Sequence, residues 1–238
     1  MNKQPRLLDG TFCYFKHPEL RRIWIDSLFM VCPLLVKIGK ITGEERYYDE
    51  VIKQLFAFTV RLQDPLKRLF YQRWGWEIYK TTHSPGFWGR GNGWVLMAMT
   101  EVLDTLPEGC KARQTLSDVY NVFIHEIIRH QDKTGMWHQL VDLPDSFEET
   151  SATAMFTYCV AKAVKKGWIN EKYDKQAKRG IEGLKTMIDD NGDIRGISFP
   201  KNQYTLQDYY RGDIILNDWH GIGPVILAAC AVDELIRQ

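Results

Sequence analysis

Apolar residues along this 238-residue chain come in two alternating textures. In one, as at Tyr48, Val51, Ile52, Leu55 and Phe58, they fall at helical spacing with charged residues between them, the pattern of a helix with one face on a core and one in water. Segments of this kind cover 44–62, 111–130 and 171–188. In the other, stretches such as Leu28 to Ile38, Val95 to Leu106 and Ala152 to Val164 are apolar almost all round, which predicts helices buried on two sides. A fourth stretch of that kind begins after Asn217-Asp218-Trp219.

Both textures belong to one unit that recurs four times. Each copy has a Gly-containing turn, a short extended aromatic stretch, a polar loop and then an apolar helix. The copies open at Asp9-Gly10-Thr11-Phe12, around Lys67 to Tyr71, at Gly135-Met136-Trp137-His138 and at Asn191-Gly192-Asp193-Ile194. Asp26, Arg90, Ser151 and Asp218, at the starts of the following helices, are 64, 61 and 67 positions apart. Such a period marks a repeat of helical hairpins. Alternating buried and half-exposed helices imply two concentric layers, in which the loops carrying Asp26, Arg90, Trp137 and Asp218 gather at one end of the ring. Four inner and three outer helices are counted, and the chain opens in a loop. The expectation is one all-α domain over 1–238 that forms an incomplete toroid: an open arc completed by a partner, or a domain lacking its N-terminal part.

Composition narrows the function classes. A chain 45% hydrophobic and 26% charged can bury one sizeable core, and a formal net charge of +1 without a long run of either sign argues against binding nucleic acid by bulk charge. No stretch approaches the length of a membrane span, and Met1 to Gly10 has no apolar signal core, so a cytoplasmic protein without a membrane partner is expected. The five cysteines are scattered without a CxxC pair, which predicts buried free thiols; neither a metal nor a cofactor is expected.

The densest chemistry lies in Phe87-Trp88-Gly89-Arg90-Gly91-Asn92-Gly93-Trp94, where a loop becomes a helix. Trp88 and Trp94 can offer flat faces to a sugar ring, and Arg90 a fork of donors suited to a carboxylate. Glycines let backbone approach closely, and Asn92 or Gly91 can cap the helix. The combination points to an acidic-carbohydrate site. The alternative is that the tryptophans wedge helices together and Arg90 pairs with an internal acid.

Four signatures stand in order: WIDSLFM at 24–30, FWGRGNGWVLMAMTEVLDTLP at 87–107, GMWHQLVD with ETSATAMFTY at 135–142 and 149–158, and NDWHGIGPVILAA at 217–229. In order and spacing they resemble the unsaturated rhamnogalacturonyl hydrolases, glycoside hydrolase family 105, with the unsaturated glucuronyl hydrolases of family 88 as more distant relatives. The resemblance spans essentially the whole chain. It implies an (α/α)6-barrel type toroid, here with about four of six hairpins and starting at the third. It also implies hydration of the C4=C5 double bond of an unsaturated uronic acid at the end of a pectin-derived oligosaccharide. In such a reaction one carboxyl can donate a proton and then activate water. The resemblance assigns that role to Asp26 of Trp24-Ile25-Asp26, whose other reading is a helix N-cap. It places Trp24, Trp88, Arg90 and Trp94 around the sugar, with Trp137, His138 and Gln139 on a further pocket loop, and gives Asp218 a capping and Trp219 a packing role.

Two departures from the family pattern bear on chemistry. Tyr71-Gln72-Arg73-Trp74-Gly75 carries Gln72 where members have a histidine and Gly75 where they have an aspartate; Gln72 can still hydrogen-bond substrate but cannot carry a proton. Members also have a second aspartate near the acid/base, in a region preceding the matched one, whose like charge would raise the pKa of Asp26. The alternative function is a noncatalytic arc that binds acidic sugars or is completed by another chain. An open arc exposes apolar inner-helix surface, which predicts self-association through its edges.

Overall fold

The computed structural model describes residues 4–14, 20–76, 82–199 and 204–237. The four apolar stretches are helices α1 (Ser27–Thr42), α3 (Gly89–Thr105), α5 (Thr150–Lys165) and α8 (Trp219–Ile236), and the three amphipathic ones are α2 (Glu45–Leu62), α4 (Arg113–Arg129) and α6 (Asp174–Lys185). A short helix, α7 (Leu206–Tyr210), lies in the last loop. Local chemistry sets the boundaries. Gly43 ends α1 with φ +74°, its N–H returning to the Gly39 carbonyl at 2.8 Å. Leu106 leaves α3 with ψ 138° because Pro107 follows and disfavours a helical predecessor. Glu149 starts α5 by accepting the Ala152 N–H at 2.6 Å, and Asp218 starts α8 by accepting that of His220 at 2.9 Å, as its capping role requires.

The inner helices stand in a row in which α1 packs on α3, α3 on α5 and α5 on α8, while α2, α4 and α6 back α1, α3 and α5. This is the all-α, (α/α)-toroid type of architecture. From Gly89 to Met99 every residue of α3 is buried, and α5 is buried throughout Thr150 to Ala161. Gly93 permits that closeness: a Cβ there would stand 2.5 Å from Met155 Sδ on α5. The Gly-rich motif is thus the first turn of α3, and Asn92 lies inside the helix. Its side chain does not cap but clamps the preceding loop, accepting the Phe70 N–H at 2.8 Å and donating to the Phe70 and Trp88 carbonyls.

Extended pairs join neighbouring repeats at the N-terminal rim. Strand β1 (Ile23–Trp24) pairs antiparallel with β2 (Arg73–Trp74), and β3 (Ile197–Phe199) with β4 (Asp213–Ile215). Single bridges tie Trp88 to Leu140 and His138 to Glu148.

The ends of the row are apolar on their outer faces. On α1, Met30, Leu34 and Ile41 are 57%, 60% and 85% exposed; on α8, Ile226 and Leu227 are exposed, and Trp219 is 81% exposed. Trp219 therefore does not pack as expected, because no neighbouring helix covers α8 on that side among the described residues. Helix α8 is also apolar enough over eighteen residues to match a membrane span in length and composition, which inspection of consecutive apolar residues missed; a third of it is buried, against α5 and α6. All five cysteines are free, and Cys13, Cys32 and Cys159 are buried.

Candidate active site

Arg90 sits in a socket made by three segments distant in sequence. It is almost wholly buried, and its Nη1 donates to the Ser198 carbonyl at 2.7 Å and to Ser151 Oγ at 3.1 Å. Glu149, fully buried, lies 3.7 Å from the same nitrogen. The Glu149 carboxylate also accepts from Ser151 Oγ at 2.8 Å, from the Ala152 N–H and from the Ser198 N–H at 2.9 Å. A buried charge needs a partner and hydrogen bonds, and Glu149 has both. Arg90 does pair with an internal acid, but its Nη2 keeps no partner, and its guanidinium lies 4.7 Å over the Trp88 ring. Glu149 escaped sequence reading because fifty-nine positions separate it from Arg90; its position as a helix-start acid in Glu-Thr-Ser was the available signal.

Asp26 stands at the N-terminus of α1 and makes no capping hydrogen bond. The residue is half-buried, but its Oδ2 is enclosed and has no partner. Burial raises the pKa of its carboxyl, against the opposing pull of Arg90, its own N–H, the Trp24 indole N–H and Arg73. The raised pKa thus needs no second carboxylate: desolvation supplies it. An enclosed carboxyl that holds its proton more tightly than an ordinary aspartate is suited to donating it.

Other buried polar atoms without a partner surround this pair in the same rim: Gln72 Nε2, Trp88 Nε1, Trp94 Nε1, Ser198 Oγ and both amide atoms of Gln139. Native interiors leave few such atoms, so a concentration of them at one rim is a site prepared for a polar ligand. Gln72 is held by the Tyr209 hydroxyl, which donates to its Oε1, and the Ile25 N–H donates to its carbonyl at 3.0 Å, next to Asp26.

The tryptophans depart from expectation. Trp88 packs with Leu140 and Tyr209 and lies under the Arg90 guanidinium, and Trp94 stacks on Phe29 at 4.8 Å, so neither ring offers an open face, while both indole N–H groups are enclosed and without a partner. Trp137 is in the core, its N–H spent on the Ile127 carbonyl at 2.7 Å and its ring edge-on to Phe156. His138 is buried with Nδ1 2.6 Å from the Ser146 carbonyl and Nε2 3.4 Å from Asp132, and it anchors its loop. The structure therefore brings together Trp24, Asp26, Gln72, Trp88, Arg90 and Trp94, and sets Trp137 and His138 behind them. Among the described residues no group of three His, Cys, Asp or Glu side chains is gathered to hold a metal.

Helical hairpins in an arc, with an enclosed acid and an arginine at the rim of their inner helices, define an α/α-toroid. Residues 1–236 match the family described as Glycosyl Hydrolase Family 88, and the chain belongs to it. It is 25% identical over 205 residues to the unsaturated rhamnogalacturonyl hydrolase YesR of Bacillus subtilis (strain 168), covering 83% of this chain and 57% of that protein. It is 29% identical over 181 residues to an unsaturated 3S-rhamnoglycuronyl hydrolase of Formosa agariphila, covering 72% and 48%. A solved family 105 glycoside hydrolase from C. acetobutylicum superposes with a TM-score of 0.88 at 25% identity, over 98% of this chain and 71% of that one. The chain thus spans about half the length of these curated relatives.

Proposed function

We propose that the chain is the site-bearing part of a glycoside hydrolase that acts on unsaturated uronyl oligosaccharides, of the kind derived from rhamnogalacturonan, in the cytoplasm. The observation that carries the reading is the enclosed, unpartnered Oδ2 of Asp26, whose pKa is raised by burial beside Arg90. Protonated Asp26 donates its proton to C4 of the vinyl ether. Water adds at C5, and the Asp26 carboxylate takes the proton that this water loses. The resulting hemiketal opens and expels the next sugar, with one water consumed overall. Arg90 Nη2 meets the substrate carboxylate, Gln72, Trp88 and Trp94 supply hydrogen-bond donors around the ring, and Trp24 holds the Asp26 carboxyl through its indole N–H. Trp137 and His138 support the loop behind them.

The test follows the ultraviolet absorbance of the C4=C5 bond in a lyase-generated disaccharide. Loss of absorbance with the wild-type chain and none with Asp26→Asn is expected; undiminished turnover by Asp26→Asn sinks the assignment. The exposed stripes on α1 and α8 favour a second reading, an arc that binds acidic sugars without turning them over until another chain completes it, or that self-associates. Saturable binding with no absorbance loss by the chain alone supports that reading, as does concentration-dependent sedimentation.

A further inference from the structure

Helix α7 brings a residue of the last loop to the start of the second repeat. Its single turn is fixed by a capping box, in which Thr205 Oγ1 accepts the Asp208 N–H at 3.2 Å and the Asp208 carboxylate accepts the Thr205 N–H at 2.7 Å. Leu206 seats the turn against Gly86, where a Cβ would stand 2.9 Å from Leu206 Cδ1. Tyr209 is then fully buried with Trp88 and Leu140, in a cluster of its own beside the main core. Its hydroxyl donates to Gln72 Oε1 from 137 positions away. Gln72 is itself buried, and its backbone carbonyl accepts the N–H of Ile25, the residue before Asp26.

We propose that Tyr209 is a positioning residue that fixes the Gln72 amide with its nitrogen toward the ligand, so that the site demands a hydrogen-bond acceptor at that point. The assignment rests on the hydrolase reading for the identity of the ligand, whereas the geometry that carries it stands in the protein alone. An amide oxygen only accepts, so the contact takes its proton from Tyr209, and the two N–H groups of Nε2 are left for another partner. Among the described residues none takes them: Nε2 is enclosed and without a partner. A buried donor left in this way is unfavourable until a ligand meets it. Turning the amide over would break the bond from the Tyr209 hydroxyl to Oε1, so that hydroxyl selects the orientation that presents the donors. An acceptor oxygen of the unsaturated ring, a hydroxyl or the carboxylate, completes the pair, and a loop of the last repeat thereby sets the hydrogen bonding of a side chain in the second.

Binding of a lyase-generated unsaturated disaccharide is measured calorimetrically in the Asp26→Asn background, and turnover by absorbance with Asp26 intact. Tyr209→Phe keeps the ring packed with Trp88 and Leu140 and removes only the hydroxyl. It should weaken binding about tenfold and raise KM to match, with kcat within about twofold, and Gln72→Met should do the same. Both changes together should weaken binding no more than either alone, since the tyrosine acts through the amide; a packing role would instead add its own loss to that of Gln72→Met. Gln72→Glu accepts from Tyr209 as Gln72 does but presents no N–H, and it too should bind about tenfold more weakly or worse. It decides alone if either neutral variant fails to fold. Binding by Tyr209→Phe or by Gln72→Glu within about twofold of the parent, losses that multiply to about a hundredfold in the double variant, or no binding by the Asp26→Asn parent overturns the proposal. If the pattern in binding holds while the wild type consumes no probe, the hydrolase reading fails and the positioning role stands; consumption by the wild type with Tyr209→Phe unchanged in affinity and KM has the reverse meaning.

Discussion

Helices α3 and α5 each carry buried charge at both ends, and the two ends treat it differently. At the N-terminal rim, Arg90 and Glu149 face each other among polar atoms that lack partners. At the C-terminal ends, Glu101 and Asp104 of α3 meet Tyr158, Lys162 and Lys166 of α5 and the loop after it. Lys162 Nζ is 2.8 Å from Glu101 and 3.0 Å from Asp104, Lys166 is 2.6 Å from Asp104, and Tyr158 donates to Glu101. None of these atoms is left without a partner. The acids shift accordingly. Burial would raise Glu101, but hydrogen bonds from Lys162 and Tyr158 hold it below its usual value, whereas Asp26 at the rim is raised. A cavity of about 370 Å³ borders the lower network, lined by Asp104, Tyr158, Lys162 and Cys230, yet its charges already satisfy one another. A buried charge cluster marks a site only where its hydrogen bonds are incomplete.

The sharpest way to break this comparison is Asp26→Asn, which should lower turnover by about 10³-fold, measured by absorbance loss, since it removes the transferable proton. The same change should raise the melting temperature at neutral pH. A carboxyl whose folded pKa is raised gives its full stability only below the unfolded value near 4 and loses it as pH rises through the folded one. The stability gain of Asp26→Asn should therefore vanish in acid, and an equal gain at low pH would contradict the burial argument. For the same reason the rate should fall as pH rises through the raised value.

Lys162→Met should act at the other end in the opposite sense. Leaving Glu101 and Asp104 without their shared partner should cost about 3 kcal/mol in denaturant unfolding, with kcat/KM kept within about twofold. A large loss of activity without a loss of stability would erase the distinction between the two ends. The smallest effect is expected from Glu149→Gln, which keeps the helix cap but weakens the hold on Arg90. It should raise KM about tenfold with little change in kcat, and a fall in kcat alone would mean that Glu149 acts on the chemistry.

Much of this was legible in the sequence. Helical spacing located the seven main helices, and the sixty-residue period put Asp26, Arg90 and Asp218 at one rim, where Arg90 feels both aspartates. What escaped was set by contacts across repeats. Trp88 and Trp94 look like sugar platforms until Leu140, Tyr209 and Phe29 are seen to occupy their rings. Gly89 reads as a loop residue until α5 is close enough that a Cβ there would lie 2.9 Å from Ala152 Cβ.

The Arg90 socket has a consequence for how the chain reaches its native state. Its hydrogen bonds to Ser151 and Ser198 close loops of 61 and 108 residues, whereas each helical hairpin closes within its own repeat. Loop closure must be met before such distant contacts return any stability, so helices and hairpins form first and the socket closes late. A refolding chain should recover its far-ultraviolet dichroism ahead of the fluorescence of Trp88, whose indole lies under the Arg90 guanidinium. Competence to bind is then the last thing the chain acquires, and sugar added during refolding can speed neither the helices nor their docking, only hold the finished rim in place.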